Sequence, residues 1–112
     1  MEKHAKVVII GGGVVGCSIL YHLSKFGLKD CILLERNELT SGSSWHAAGN
    51  VHVISSDPNI SRMMAYTIGL YKEIEKESGH SVGFKPSGGF YLASNETWAD
   101  YLKRERSKAR YM

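Results

Sequence analysis

Apolar and polar positions along the chain change period several times, and each change marks an element. Lys6–Ile10, KVVII, is a short β-branched run of the kind carried by a strand buried on both faces. Glycines follow at once. In VVGCSILYHLSKFG, Val15, Ile19, Leu20, Leu23 and Phe26 then recur at helical spacing, with Gly27 as the stop. DCILLE, ending on Glu35, reads as a second buried strand. Strand, glycine turn, helix and strand within about 30 residues make a βαβ unit.

A polar loop from Arg36 to Ser44 separates this unit from the clearest helix in the chain, DPNISRMMAYTIGLYKEIEKESG. Asp57 suits its cap, Pro58 its first turn and Gly79 its end. Ile60, Met63, Met64, Thr67, Leu70, Tyr71 and Ile74 repeat at three and four and predict its apolar face. VGFKPSGGFYLAS predicts two short antiparallel strands around a Pro-Ser-Gly-Gly turn. NETWADYLKRERSKARYM begins another helix, with Ser94 or Asn95 as cap and Trp98, Leu102 and Ala109 on one side. One parallel and one antiparallel pair leave many edges and little core, so the pattern reads as the front portion of a larger protein.

Composition narrows the function classes. With 112 residues, 43% hydrophobic and 22% charged, the chain is ordinary globular material, and a net charge of +3 is too mild to imply nucleic acid. The basic run LKRERSKAR reads as a solvated helix face. Cys17 and Cys31 form no C-x-x-C and sit among apolar neighbours, as small packers in a reducing compartment do. The five histidines lack metal-ligand spacing, so no metal site is expected. The start MEKHAKVVIIGGGVVGC imitates an export signal, but no A-x-A-like site follows. No run reaches the ~20 apolar residues of a membrane span. A cytoplasmic protein is expected, or a mitochondrial matrix one in a eukaryote.

Chemistry enters with GGGVVG, which sets Gly11, Gly13 and Gly16 in G-x-G-x-x-G spacing between strand and helix. Gly11 permits the tight turn, Gly13 lets backbone approach a pyrophosphate, and Gly16 lets helix and strand pack closely. The helix start at Val14 and Val15 offers free N–H groups to phosphates. Glu35 ends the second strand, where a carboxylate can accept hydrogen bonds from ribose hydroxyls. A dinucleotide site follows, and the glycines alone do not separate FAD from NAD. RNELTSGSSWHAAG, after the strand, carries hydroxyls and glycines suited to the second phosphate and a ribityl chain.

GGGVVGCSILYHLSKFGLKDCILLERNELTSGSSWHAAG resembles the N-terminus of the D-amino-acid-oxidase-like FAD proteins, and most of all their sarcosine and dimethylglycine dehydrogenase branch. LTSGSSWHAAG is the most telling part. GFKPSGGFYLAS is similar to the strand pair that begins the family's substrate domain, so the likeness spans essentially the whole chain.

The resemblance implies an α/β fold with an incomplete Rossmann-like FAD-binding domain over residues 1–80. Over 81–112 it implies the start of an antiparallel substrate-domain sheet and its following helix. It implies FAD bonded covalently through its 8α carbon to His46. Arg36, Ser43 and Ser44 would help hold the cofactor, Trp45 would wall the site, and Ala48 and Gly49 would keep the chain close to the ring. His52 fits a flavin-facing, packing or surface role equally. The implied reaction oxidises the C–N bond of a small N-methylated amino acid to an imine. The imine then hydrolyses or passes its one-carbon unit to tetrahydrofolate on a C-terminal domain. The electron acceptor is not specified, and no residue is an evident general base. The alternatives are a noncovalent-FAD amine or amino-acid oxidase, an NAD-dependent dehydrogenase, and a family-like regulatory subunit without catalysis.

Overall fold

Val7–Ile10 (β1) and Cys31–Leu34 (β2) pair in parallel in the computed structural model, which describes residues 4–111. Val7 lies beside Cys31 and Ile10 beside Leu34. Between the strands runs α1 (Val14–Lys25), which packs on both of them. Its end follows the predicted stop. Leu28 N–H reaches back to the Leu23 carbonyl at 2.9 Å, and Gly27 takes the left-handed φ of +85° that this closure needs. The chain divides into two compact units, residues 1–50 and 51–112.

In the first unit the side of the sheet under α1 holds Ile9, which is 7% exposed. The opposite side is open: Val8, Ile10, Ile32 and Leu34 all point to solvent, Ile10 at 87% exposure. Within the first unit the strands are therefore covered on one face, not two as the β-branched runs predict, because among its described residues the unit has a single α-helix to lay on them. The helix face also differs from the predicted one. Gly16 is buried and Leu20 and Leu23 are half-buried, whereas Val15, Ile19 and Phe26 are exposed. The contact with the sheet is set by the residue with no side chain, which rotates the stripe onto the line of Gly16.

The second unit begins with α2 (Pro58–Ser78), capped and ended as its sequence predicts. Asp57 Oδ1 accepts from the amides of Asn59 (2.7 Å) and Ile60 (3.2 Å), and Gly79 closes the helix at φ +70°. Met64, Thr67, Leu70, Tyr71 and Ile74 are half-buried, but Ile60 and Met63 of the predicted face are exposed. Ser61, 2% exposed, accepts a hydrogen bond from Ser55 N–H at 2.9 Å and ties the entering chain to the helix. Asp57→Ala leaves two first-turn amides without their acceptor. It is expected to cost about 1 kcal/mol, measured by denaturant unfolding.

The predicted strand pair in VGFKPSGGFYLAS does not form; residues 79–93 carry no ladder. Ser81 Oγ and Val82 N–H both donate to Glu75 Oε1 at 2.9 Å, and Phe84 leans on Tyr71 with ring centroids 5.9 Å apart. Phe90, Tyr91 and Leu92 stand 98%, 70% and 91% exposed, so the segment has strand-forming residues without an apolar surface to lie on. A lone two-stranded ribbon is marginal in water, and that is the physical reason for the difference. The last helix, α3 (Glu96–Lys108), is capped by Asn95, whose Oδ1 accepts from Trp98 N–H at 2.9 Å. Its basic residues face solvent, and two of them pair along the helix, Lys103 with Asp100 and Lys108 with Glu105.

Candidate functional site

The turn between β1 and α1 is shaped by its glycines. Gly11 adopts φ +106° and donates to the Leu34 carbonyl at 2.8 Å, which binds the turn to the end of β2. A Cβ on Gly16 would lie on top of the Gly11 carbonyl oxygen and at 3.4 Å from Ile9 Cγ2, so helix and strand meet here only through glycine. The first bond along α1 runs from Cys17 N–H to the Gly13 carbonyl at 3.0 Å. The amides of Val14, Val15 and Gly16 thus have no acceptor within the helix. Val14 N–H instead donates to Ser44 Oγ at 2.8 Å, which leaves the Val15 and Gly16 amides, with the positive end of the helix dipole, for an anion.

Glu35 is held at both oxygens. Gly12 N–H donates to Oε2 at 2.7 Å and Asn37 N–H to Oε1 at 2.9 Å. The Asn37 and Gly12 amides, helped by the neighbouring Arg36, lower the Glu35 pKa below the ordinary carboxylate value. Each oxygen keeps a lone pair for a further donor. Gly12, the middle glycine of the motif, was not among the residues singled out by the G-x-G-x-x-G spacing. Its signal was a glycine at a variable position of the motif, the second of three in a row, and a Cβ there would crowd Leu39 Cδ2 at 2.5 Å and Glu35 Cβ at 3.0 Å.

The following loop folds back on the same turn. Thr40 N–H donates to the Gly12 carbonyl at 2.9 Å from the left-handed region, φ +62°, a position without any recognisable sequence signal. Ser43–His46 then form a single 3₁₀ turn, with Ser44 half-buried and Ser43, Trp45 and His46 exposed. His46 Nδ1 lies 3.1 Å from the Gly42 carbonyl. A carbonyl only accepts, so this contact requires the proton on Nδ1, and the neutral ring then has its lone pair on Nε2. The Trp45 and His46 rings lie 4.0 Å apart, inclined by 37°. Arg36, Ala48 and Gly49 are exposed, and Gly49 turns the chain at φ +69°. Gly11, Gly13, Val14, Gly16, Glu35 and Ser44 are therefore joined by direct contacts or shared backbone, with Ser43, Trp45 and His46 carried on the turn that Ser44 anchors. His52 belongs to the second unit.

A glycine turn feeding an open helix end, with an ionised carboxylate at the tip of the adjacent parallel strand, defines a Rossmann-type α/β unit. Residues 6–111 match the family described as FAD dependent oxidoreductase (DAO). The chain belongs to that family. It is 43% identical over 107 residues to the human mitochondrial dimethylglycine dehydrogenase, covering 96% of this chain and 12% of that protein. With the human mitochondrial sarcosine dehydrogenase it shares 42% identity over 105 residues, 93% of this chain and 11% of the relative. The 4-methylaminobutanoate oxidase (formaldehyde-forming) of Paenarthrobacter nicotinovorans is 39% identical over 102 residues, 91% and 12% of the two chains. The chain thus spans about an eighth of the length of these relatives. Among the described residues no group of His, Cys, Asp and Glu is placed to hold a metal ion, and no helix is long and apolar enough to cross a membrane.

Proposed function

We propose that this chain holds FAD in an enzyme that oxidises the C–N bond of a small N-methylated amino acid, of the sarcosine or dimethylglycine kind, to an imine. The single observation that carries the dinucleotide reading is the clamped Glu35 beside an open helix end, and membership of the FAD dependent oxidoreductase family supports FAD as that dinucleotide. The residues fit the adenosine diphosphate half. No atom would obstruct a Cβ at Gly11, and a Cβ at Gly13 would meet only Ser44 Oγ at 3.2 Å, so the turn leaves room for a pyrophosphate. Val15 and Gly16 offer amides to the phosphates, and Glu35 accepts from the ribose hydroxyls and would repel a 2′-phosphate. Arg36, Ser43 and Ser44 would hold the remaining phosphate and ribityl chain. Trp45 would wall the ring, and Ala48 and Gly49 would let backbone pass close to it. His46 is the attachment residue: its Nε2 lone pair is the free nucleophile because Gly42 holds the proton on Nδ1. FAD, when bound, supplies the two-electron acceptor for the amine.

In this reading residues 1–80 belong to the FAD-binding domain and 81–112 begin the substrate domain. The exposed segment around Phe90 and Leu92 would pair only against the rest of that domain. The imine is hydrolysed or gives its one-carbon unit to tetrahydrofolate elsewhere in the whole protein, which works in the mitochondrial matrix or the cytoplasm. The names of the relatives, two dehydrogenases and an oxidase of methylated amino acids, support this choice of substrate class.

Glu35 provides the test. Loss of a charge-assisted hydrogen bond weakens binding by roughly 10- to 100-fold, so Glu35→Ala is expected to lower FAD uptake by that factor in a flavin titration of the apoprotein. The lowered pKa gives the sign of the pH dependence. A carboxylate with a depressed pKa contributes above its ordinary range and loses that contribution only as pH falls through the lowered value. Uptake by the wild type should therefore be flat from neutral to mildly acidic pH on this account. Unchanged uptake in Glu35→Ala would remove the ribose role.

A further inference from the structure

We infer that Ser44 is a positioning residue: its hydroxyl anchors the turn that carries His46 to the N-terminus of α1 and so fixes the attachment nitrogen relative to the phosphate site. The inference rests on the assignment of His46 as the attachment residue and goes beyond the role of Ser44 as one more cofactor contact.

Three observations support it. The N-cap of α1, Gly13, has no side chain to cap its own helix, and the missing acceptor comes from Ser44, 30 residues further along the chain, at 2.8 Å from Val14 N. Ser44 is the half-buried member of an otherwise exposed turn, so its contact is the one that locates Ser43–His46. Within that turn His46 is fixed from behind by Gly42 and from the side by the Trp45 ring, which leaves the turn little internal freedom. Where the turn sits against α1 then decides where Nε2 sits. The hydroxyl also keeps its own proton, which remains free to donate to an anion at the helix end.

Attachment forms a bond from Nε2 to the 8α carbon and breaks one C–H bond there. The two electrons pass into the flavin ring, and dioxygen then removes them as hydrogen peroxide. The protons released from the methyl group and from imidazole Nδ1 balance those taken up by the reduced ring. The geometry of the approach limits such a step, and a misplacement of about 1 Å can cost 10²-fold.

The experiment follows attachment in the whole apoprotein at saturating FAD, read as flavin that stays with acid-precipitated protein over time. Ser44→Ala is expected to slow attachment by about 10- to 100-fold. Ser44→Thr, which keeps the acceptor, should return to within a few-fold of wild type. In a His46→Ala background, where binding is reversible, adding Ser44→Ala should shift the FAD dissociation constant by no more than about fivefold, the scale of one hydrogen bond. Wild-type attachment by Ser44→Ala at saturating FAD overturns the inference, as does equal slowing by Ser44→Thr. If Ser44→Ala does not fold, Ser44→Cys, a weaker acceptor of similar size, should attach at an intermediate rate, and a wild-type rate there overturns it equally. Wild-type protein that releases all its flavin to acid defeats the His46 reading itself, a separate and distinguishable failure.

Discussion

Gly16→Val is expected to leave the whole protein almost colourless. A Cβ at this position falls on the carbonyl oxygen of Gly11, which is backbone, so no rotation of a side chain relieves the clash. α1 has to move off β1, and with it go the Val15 and Gly16 amides that face the anion site. Overpacking of this kind costs about 1–3 kcal/mol of stability. The displaced amides should lower FAD uptake by more than about 100-fold, since two hydrogen bonds to charged phosphate are lost together. Flavin absorbance per mole of purified protein after reconstitution measures the second effect, and thermal unfolding the first. Gly69→Ala is the control, because an added Cβ there meets nothing within 4 Å and the residue lies inside α2 without positive φ. Full flavin content in Gly16→Val would mean that the turn tolerates a side chain, against the packing of Gly16 on Gly11 and Ile9.

His46→Ala should separate holding the cofactor from fastening it. Wild-type protein is expected to stay yellow after acid precipitation, and its flavin-bearing peptide to contain SSWHAAG. The variant retains Gly11, Gly13, Gly16 and Glu35, so it should bind FAD reversibly and lose all of it to the acid supernatant. Its amine oxidation should fall by about 10- to 100-fold without vanishing, because the tether orients the ring while the ring accepts the electrons. Replacing His52 should leave attachment intact. The opposite pattern, colour surviving acid in His46→Ala and lost in a His52 variant, would assign the bond to His52.

The βαβ unit was legible because each of its parts has a local cause. β-branched runs, glycine spacing and a helix stop act within a few residues, and the structure forms all three. Glu35 could be found for the same reason, by its place at a strand end. The role of Gly12 was less visible, since its amide matters only once the Glu35 side chain has folded back on it. Ser44 lay among several hydroxyls in the sequence, and only the fold distinguishes it from Ser43 by bringing it to Val14. The segment around Phe90 was misread in the opposite sense. Its aromatic and aliphatic residues around a turn call for a surface the strands would need, and local sequence carries no information on whether that surface is present. The same limit explains why both faces of β1 were expected to be covered while Ile10 stands open.

The two amides that grip Glu35 also bear on the kinetics of FAD capture. A free glutamate samples many rotamers and must be ordered when ligand arrives, at a cost of roughly 1–2 kcal/mol in side-chain entropy for such residues in general. Here the Gly12 and Asn37 amides impose that order during folding, so in the proposed role the ribose would meet an acceptor already aimed. Preorganisation of this kind lowers the reorganisation left for the encounter itself. Association should then be close to a rigid-body docking step, with a rate set by diffusion and charge, and differences in cofactor retention among variants of this loop should show up as differences in residence time.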